Sequence, residues 1–212
     1  MLDVARLPLF IAAAISLLLL PGPAVLYIVT RSIHQGRRAG IVSVLGIQTG
    51  TLFHVTAAAL GLSAILMSSA LAFGIIKYLG AAYLIFLGIR TLMTRPAPTA
   101  DSQLEPVSLK RIFSQGVIVN VLNPKTALFF FAFLPQFVDP ARGAVGLQLL
   151  LLGCLFTGLA MLTDSSYALL AGTFGQWLKR SRAFARMQRY VAGTVYIGLG
   201  VTTALSGSSN QS

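Results

Sequence analysis

Residues 112–138 read IFSQGVIVNVLNPKTALFFFAFLPQFV. This run is longer than the roughly 20 apolar residues that cross a bilayer, yet its centre carries Asn120, Asn123, Pro124 and the lone charge Lys125. Its length points to a membrane span, while the proline points to a break within it, because proline removes a backbone donor and opposes the carbonyl one turn earlier. In hydrocarbon, freed backbone groups must find internal partners or line a wet cavity. An ammonium near the bilayer centre costs roughly 2.5–3.5 kcal/mol on insertion scales, so Lys125 is expected to face a cavity, a partner or a solute. Two readings stay open for these side chains: Lys125 binds a solute, or it snorkels or caps the broken helix. Asn120 and Asn123 line the same site, or bridge neighbouring helices by hydrogen bonds.

Outward from this segment, the rest of the chain has the same character. Of 212 residues 56% are hydrophobic and 10% charged, with mean hydropathy +0.80, so lipid is the expected solvent. Charge-poor stretches predict helices near 7–30, 41–66, 72–92, 112–138, 144–172 and 190–206. The second and third divide at Met67, Ser68 and Ser69, with Lys77 reaching the nearer interface. The first block, Leu7 to Thr30, is longer than a signal-peptide core of about 7–15 residues and reads as a retained helix. Cys154, the sole cysteine, excludes a disulfide and reads as a buried, inert thiol.

Charge placement tests this division. Arg31, Arg37 and Arg38 fall on the first connection, Arg90, Arg95, Lys110 and Arg111 on the third, and Lys179, Arg180, Arg182, Arg186 and Arg189 on the fifth. Only Arg6, Lys77 and Arg142 fall on the other side, a strong positive-inside bias. Both termini are therefore expected outside a bacterial inner membrane. The net charge of +11 then reflects orientation and anionic lipid, with no nucleic-acid partner.

The fold class expected is an all-α integral membrane protein with six transmembrane helices as two inverted three-helix repeats. The first repeat is 1–93, the polar stretch 94–111 is a cytoplasmic linker, 112–206 is the second repeat, and 207–212 is a disordered tail. Three helices per half invert the second half, the arithmetic of an inverted repeat. A short echo accompanies it: Pro21-Gly22-Pro23-Ala24-Val25-Leu26 stands against Asn123-Pro124-Lys125-Thr126-Ala127-Leu128. Pro21, Gly22 and Pro23 break the first helix as Pro124 breaks the fourth. Alone each break is a kink; two at matching places are how many transporters expose backbone dipoles to a solute near the midplane.

Asp164 is the one acid inside a predicted span. A bare carboxylate is costly away from water, so two roles are open: a structural ion pair with Lys125, or alternation between a proton and a substrate ammonium. Gln48 and His54 belong to a small, polar face of the second helix, with Gly46 and Gly50 at the spacing that lets helices approach. His54 is either a packing histidine or a proton relay. No phosphate-binding loop, HExxH, cysteine pair or His-rich ligand set occurs, so no cofactor, metal or enzyme chemistry is expected.

At Pro21 to Gly50, PGPAVLYIVTRSIHQGRRAGIVSVLGIQTG, and at Asn120 to Asp139, NVLNPKTALFFFAFLPQFVD, the chain resembles the LysE/RhtB family of amino-acid exporters, named for lysine exporters and homoserine/threonine efflux proteins. The resemblance implies six helices and efflux of amino acids or their derivatives, driven by proton entry. Pro21, Gly22 and Pro23 match the family's first-helix motif, Asn123, Pro124 and Lys125 its fourth-helix motif, and Asp164 its fifth-helix acid. Some members, basic-amino-acid exporters among them, carry an acid where this chain has Gln48-Thr49-Gly50-Thr51. A neutral solute of the homoserine, threonine or leucine kind is thus expected. In this reading Gln48 contributes to the solute site, Lys125 and backbone dipoles meet the carboxylate, and Asp164 meets the ammonium or the coupling proton. A metal or other cation exporter, a passive channel and a non-transporting scaffold are the rivals. Small-residue faces permit a homodimer without requiring one.

Overall fold

The computed structural model describes residues 2–62 and 106–179, with scattered positions between 75 and 93 and between 190 and 201. Among these residues every regular element is helical. Helix α1 spans Leu7–Leu18, with its proline at the first turn where no backbone donor is lost. Helix α2 spans Pro23–Ala57, and a wider turn extends it over Ala58–Leu62. Helix α3 spans Leu109–Val121; α4, Pro124–Leu128, continues through wide and tight turns to Phe137. Helix α5 spans Val145–Lys179.

As one rod, the 39 residues of Pro23–Gly61 would be about 58 Å long, nearly twice the ~30 Å hydrocarbon core. They form a hairpin instead. Gly36 has φ 81° and ψ −179°, a conformation essentially confined to glycine, and it reverses the chain. Ser32 consequently lies against Gly40, and Val25 shares a cavity with Gln48. The arm 23–35 completes a broken first span begun by α1; the arm 37–57 with its extension is a second span. Helices α3 and α4, bent by 47°, form a further broken span, and α5 another. Four passes are thus present among the described residues, at the places expected for the first, second, fourth and fifth helices.

The described positions from 75 to 93 and from 190 to 201 are helical, and Ile75, Leu79, Phe86 and Met93 are exposed apolar side chains. The break at Met67–Ser69, Lys77, most of the linker, most of the last basic cluster and the tail lie outside the described residues.

Helix α5 runs antiparallel to the arm 37–57: Gly172 meets Arg37, Ala168 packs near Val44, and Gly153 meets Val55. Helix α3 runs parallel to that arm, its Phe113 and Gly116 against Gly46. A Cβ on Gly46 would overlap the carbonyl of Phe113, so the helices approach this closely because both contact points are glycine. Large apolar side chains such as Leu9, Leu26, Phe53, Leu60 and Leu162 face outward, a surface suited to acyl chains and not to water. Cys154 is exposed on this outer face, contrary to the expected burial.

The ends of the bundle differ. At the Gly36 end, Gln35 donates to the Val107 carbonyl at 2.8 Å, Arg31 to Gln115 at 3.0 Å and Arg37 to Thr173 at 2.9 Å. Lys110 and Arg111, at the start of α3, lie at this same end. At the opposite end Asp3, Arg6, Asp139 and Arg142 form a surface ion cluster with separations of 3.1 to 3.5 Å.

Candidate functional site

Both breaks open onto one space. The chain leaves helical geometry after Leu18 and re-enters it at Pro23, with Gly22 as N-cap. It breaks again after Val121 and restarts at Pro124, with Asn123 as N-cap. Proline takes the first helical position in both restarts, where its missing N–H costs nothing. The structural match therefore pairs Gly22 with Asn123 and Pro23 with Pro124, one residue out of register with the echo read from sequence.

Residues of both breaks, the arm 37–57 and α5 enclose a cavity of about 40 Å³. Its polar lining is Gln48, Thr51, Asn120, Asn123, Lys125, Thr126 and Asp164; Gly22, Ala24, Val25, Leu17, Phe156 and Ala160 are among the rest. At this size it holds a water or two and is far below the ~300–1,000 Å³ of a formed ligand pocket. Apolar clusters flank it on both sides. Toward the Asp3 end, Phe10, Phe129, Phe133 and Phe137 pack together, and Phe129 and Phe156 stack with centroids 4.4 Å apart. Toward the Gly36 end, Ile28, Val44, Ile47 and Ala168 pack together beside it.

Lys125 is 8% exposed, and its ammonium donates to the carbonyls of Leu17 at 2.8 Å and Leu20 at 2.6 Å. These carbonyls lie at the C-terminal end of α1, where amides run out and Leu17 O accepts from the Leu20 amide at 3.1 Å; a cation at a helix C-terminus is also favoured by the dipole. The tyrosine hydroxyl of Tyr167 donates to Leu19 O at 2.9 Å. Two side chains from the second half of the chain thus cap the half-helix of the first, and the capping reading of Lys125 is the one seen here.

Asn120 works as a junction. Its Nδ2 donates to Ile47 O at 2.9 Å and Thr51 Oγ1 at 2.8 Å, while its Oδ1 accepts from Thr126 Oγ1 at 3.0 Å and Asn123 Nδ2 at 3.3 Å. Asn123 Oδ1 accepts from the Lys125 amide at 3.1 Å, capping α4. Both asparagines therefore bridge and cap helices at the wall of the cavity.

Asp164, 4% exposed, accepts from Gln48 Nε2 at 2.8 Å and lies within Coulomb range of Lys125. The other end of that amide, Gln48 Oε1, is buried with no hydrogen-bond partner. Among buried polar groups this is costly, on the order of 1–3 kcal/mol, and Gln48 Oε1 is the one fully buried side-chain polar atom without a partner among the described residues.

Of the residues singled out from sequence, Gly22, Gln48, Asn120, Asn123, Lys125 and Asp164 line the cavity; Pro21, Pro23 and Pro124 shape the breaks without lining it. His54 is off the cavity: its Nε2 lies 3.0 Å from Asn120 O, and its ring stacks on Phe130. Phe156 and Tyr167 were not singled out from sequence, and Ala160 read as a packing residue. Phe156 and Ala160 recur at intervals of four from Asp164, and Tyr167 lies one turn beyond, so helical periodicity about the acid would have found all three.

A model of the LysE type translocator family matches residues 15–207, nearly the whole chain. The chain belongs to the LysE type translocator family. This LysE-type translocator is 32% identical over 206 residues to an uncharacterized membrane protein of Bacillus subtilis, covering 93% of this chain and 97% of the relative. Over 184 residues it is 32% identical to the homoserine/homoserine lactone efflux protein of Salmonella typhimurium, covering 87% and 88%. An uncharacterized membrane protein of Vibrio cholerae is 30% identical over 195 residues, covering 92% and 94%. No solved structure matches the chain. Membership in this family makes the chain a multi-pass membrane protein of transport function, consistent with its apolar outer surface.

Proposed function

We propose that this translocator exports a small neutral amino acid or derivative, of the homoserine, threonine or leucine kind, across the inner membrane in exchange for protons. The observation that carries the proposal is the polar cavity where two broken helices meet, with a buried acid and a buried ammonium in its wall. The Salmonella relative, named for efflux of homoserine and its lactone, supports this solute class.

In the proposed cycle six helices form two inverted triplets that rock about the cavity, with both termini outside. The phenylalanine cluster and the Ile28 cluster part in turn, widening the cavity for the solute. Asp164 holds either a proton or the solute ammonium, and this competition converts proton entry into solute exit. Lys125 secures the α1 break, and the amides that begin the arm 23–35 meet the carboxylate end of the solute. His54, packed off the cavity, is outside this cycle.

The test is export from proteoliposomes under an imposed pH gradient. Wild-type protein accumulates labelled threonine, homoserine or leucine against its gradient, whereas Asp164→Asn exchanges solute without responding to the gradient. Full pH-driven export by Asp164→Asn would remove the coupling role. Equilibration without accumulation by the wild type would make the protein a passive channel.

A further inference from the structure

We infer that the half-helix α1 is a lid over the outer side of the cavity, latched by Arg142 through the carboxylates of Asp3 and Asp139 and hinged where Lys125 and Tyr167 grip its other end. The inference rests on the export reading above for what the opening serves, and it names the element that opens.

Helix α1 is built to move as one body. Every side chain from Leu7 to Leu18 is apolar except Ser16, whose hydroxyl turns back to donate to the Ala12 carbonyl at 2.7 Å. Its buried face, Phe10, Ala14 and Leu17, packs into the phenylalanine cluster, and Leu17 and Leu18 line the cavity. Lifting such a face leaves no buried side-chain polar group unmet. The helical ladder is interrupted between Leu18 and Pro23, so α1 is not locked to the arm 23–35. The arm 37–57 and α5, by contrast, are continuous helices in close contact at glycines.

The two ends of α1 are held by different chemistry. At the break, the carbonyls of Leu17 and Leu20 accept from Lys125 and that of Leu19 from Tyr167. Water does not replace these donors in hydrocarbon, so this end is the fixed one. At the other end Asp3 is the shared partner of two arginines, Arg6 Nε at 3.3 Å and Arg142 Nη2 at 3.5 Å. Arg142 also pairs with Asp139 at 3.1 Å and donates to the Leu2 carbonyl at 3.5 Å, tying the segment before α1 to the connection before α5. These side chains are partly exposed, and exposed ion pairs are weak because water and salt compete for each partner. That suits a contact that opens and recloses. The catch is stiff on its own side: Gln148, 1% exposed, accepts from the Asp139 amide at 3.1 Å and donates to the carbonyls of Asp139 at 2.9 Å and Gly143 at 2.7 Å. The loop 139–143 is thereby framed, and Arg142 is presented at a fixed place for α1 to return to.

The experiment uses the full chain in lipid nanodiscs, where both ends meet solution, with Cys154→Ser to remove the exposed thiol and Ala160→Cys to place one in the cavity wall. The readout is the rate at which a membrane-impermeant methanethiosulfonate modifies the introduced thiol. Arg142→Gln is expected to raise that rate about three- to tenfold, and Asp3→Asn, which takes the shared partner from both arginines, to do the same. Raising salt from about 0.05 M to about 0.5 M speeds the chain with its charges intact and leaves the Arg142→Gln rate unchanged. Rates that neither variant nor salt moves overturn the inference; if a variant yields no folded protein, the salt series on the intact latch decides. A second arm reads transport: in the Cys154→Ser background, Asp3→Cys and Arg142→Cys joined by a short bifunctional methanethiosulfonate stop solute flux in proteoliposomes, and reductant restores it. Undiminished flux with the bridge in place overturns the lid while leaving export standing. Wild-type vesicles that move none of threonine, homoserine or leucine overturn the export reading instead, and the labelling rates still decide whether α1 opens.

Discussion

Asn120 holds together three segments that are distant in sequence: its amide reaches Ile47 and Thr51 on α2 and receives Thr126 and Asn123 from the far side of the break. Asn120→Ala leaves several buried donors and acceptors unmet, and the protein is expected to lose about 2–4 kcal/mol of stability, read as a lower thermal midpoint in detergent; an unchanged midpoint would contradict the junction role. The residue types at this site were legible in the sequence because polar groups are conspicuous in apolar runs. Their partners were not. Lys125 bonds to carbonyls 105 and 108 residues away, and nothing in the local pattern distinguishes an ammonium aimed at a carboxylate from one aimed at a helix end. Tyr167 escaped notice for the same reason: an aromatic residue in an apolar helix looks like filler until its hydroxyl is seen on Leu19 O.

At the scale of elements, helical periodicity, apolar length and proline located the spans and their breaks. The connection expected between helices ending near 30 and starting near 41 is present but far shorter, a reversal at one residue. Helix continues to Gln35 and resumes at Arg37, because the single residue Gly36 adopts a conformation that reverses the chain without any loop. Charges there suggested a solvated connection, but charged residues lie comfortably on helix ends at a membrane surface. The expected close approach at Gly46 is present and gives a prediction. In Gly46→Val the new side chain meets the Phe113 backbone, which cannot move as a side-chain tip can. The helices must separate, at a cost of about 1–3 kcal/mol. Thermal unfolding in detergent should show the loss, and wild-type stability for this variant would mean that α2 and α3 do not pack through glycine.

For the whole molecule, the bundle sorts charge by end: Arg31, Arg37, Arg38, Lys110 and Arg111 gather around the Gly36 turn, while Asp3, Arg6, Asp139 and Arg142 pair at the other end. In the proposed topology the first end, rich in basic residues, faces the cytoplasm. Cys154 lies exposed on the lipid face and is removed first as Cys154→Ser. In that background Ala141→Cys is expected to react in intact cells with a membrane-impermeant maleimide, and Arg38→Cys only after the membrane is opened. The reverse pattern would invert the proposed topology.

Composition, apolar periodicity and the position of basic residues determined by themselves that this chain is a helical membrane protein with interrupted first and fourth spans, because the cost of polar groups in hydrocarbon is local and can be read one residue at a time. Only the tertiary structure decided that the two interruptions share one cavity, that Lys125 caps a helix end there, and that Gln48 keeps an acceptor open beside Asp164. Those facts depend on which segments pack together across the bundle, and long-range packing is set by the fit of whole helical faces, which no single stretch of sequence contains.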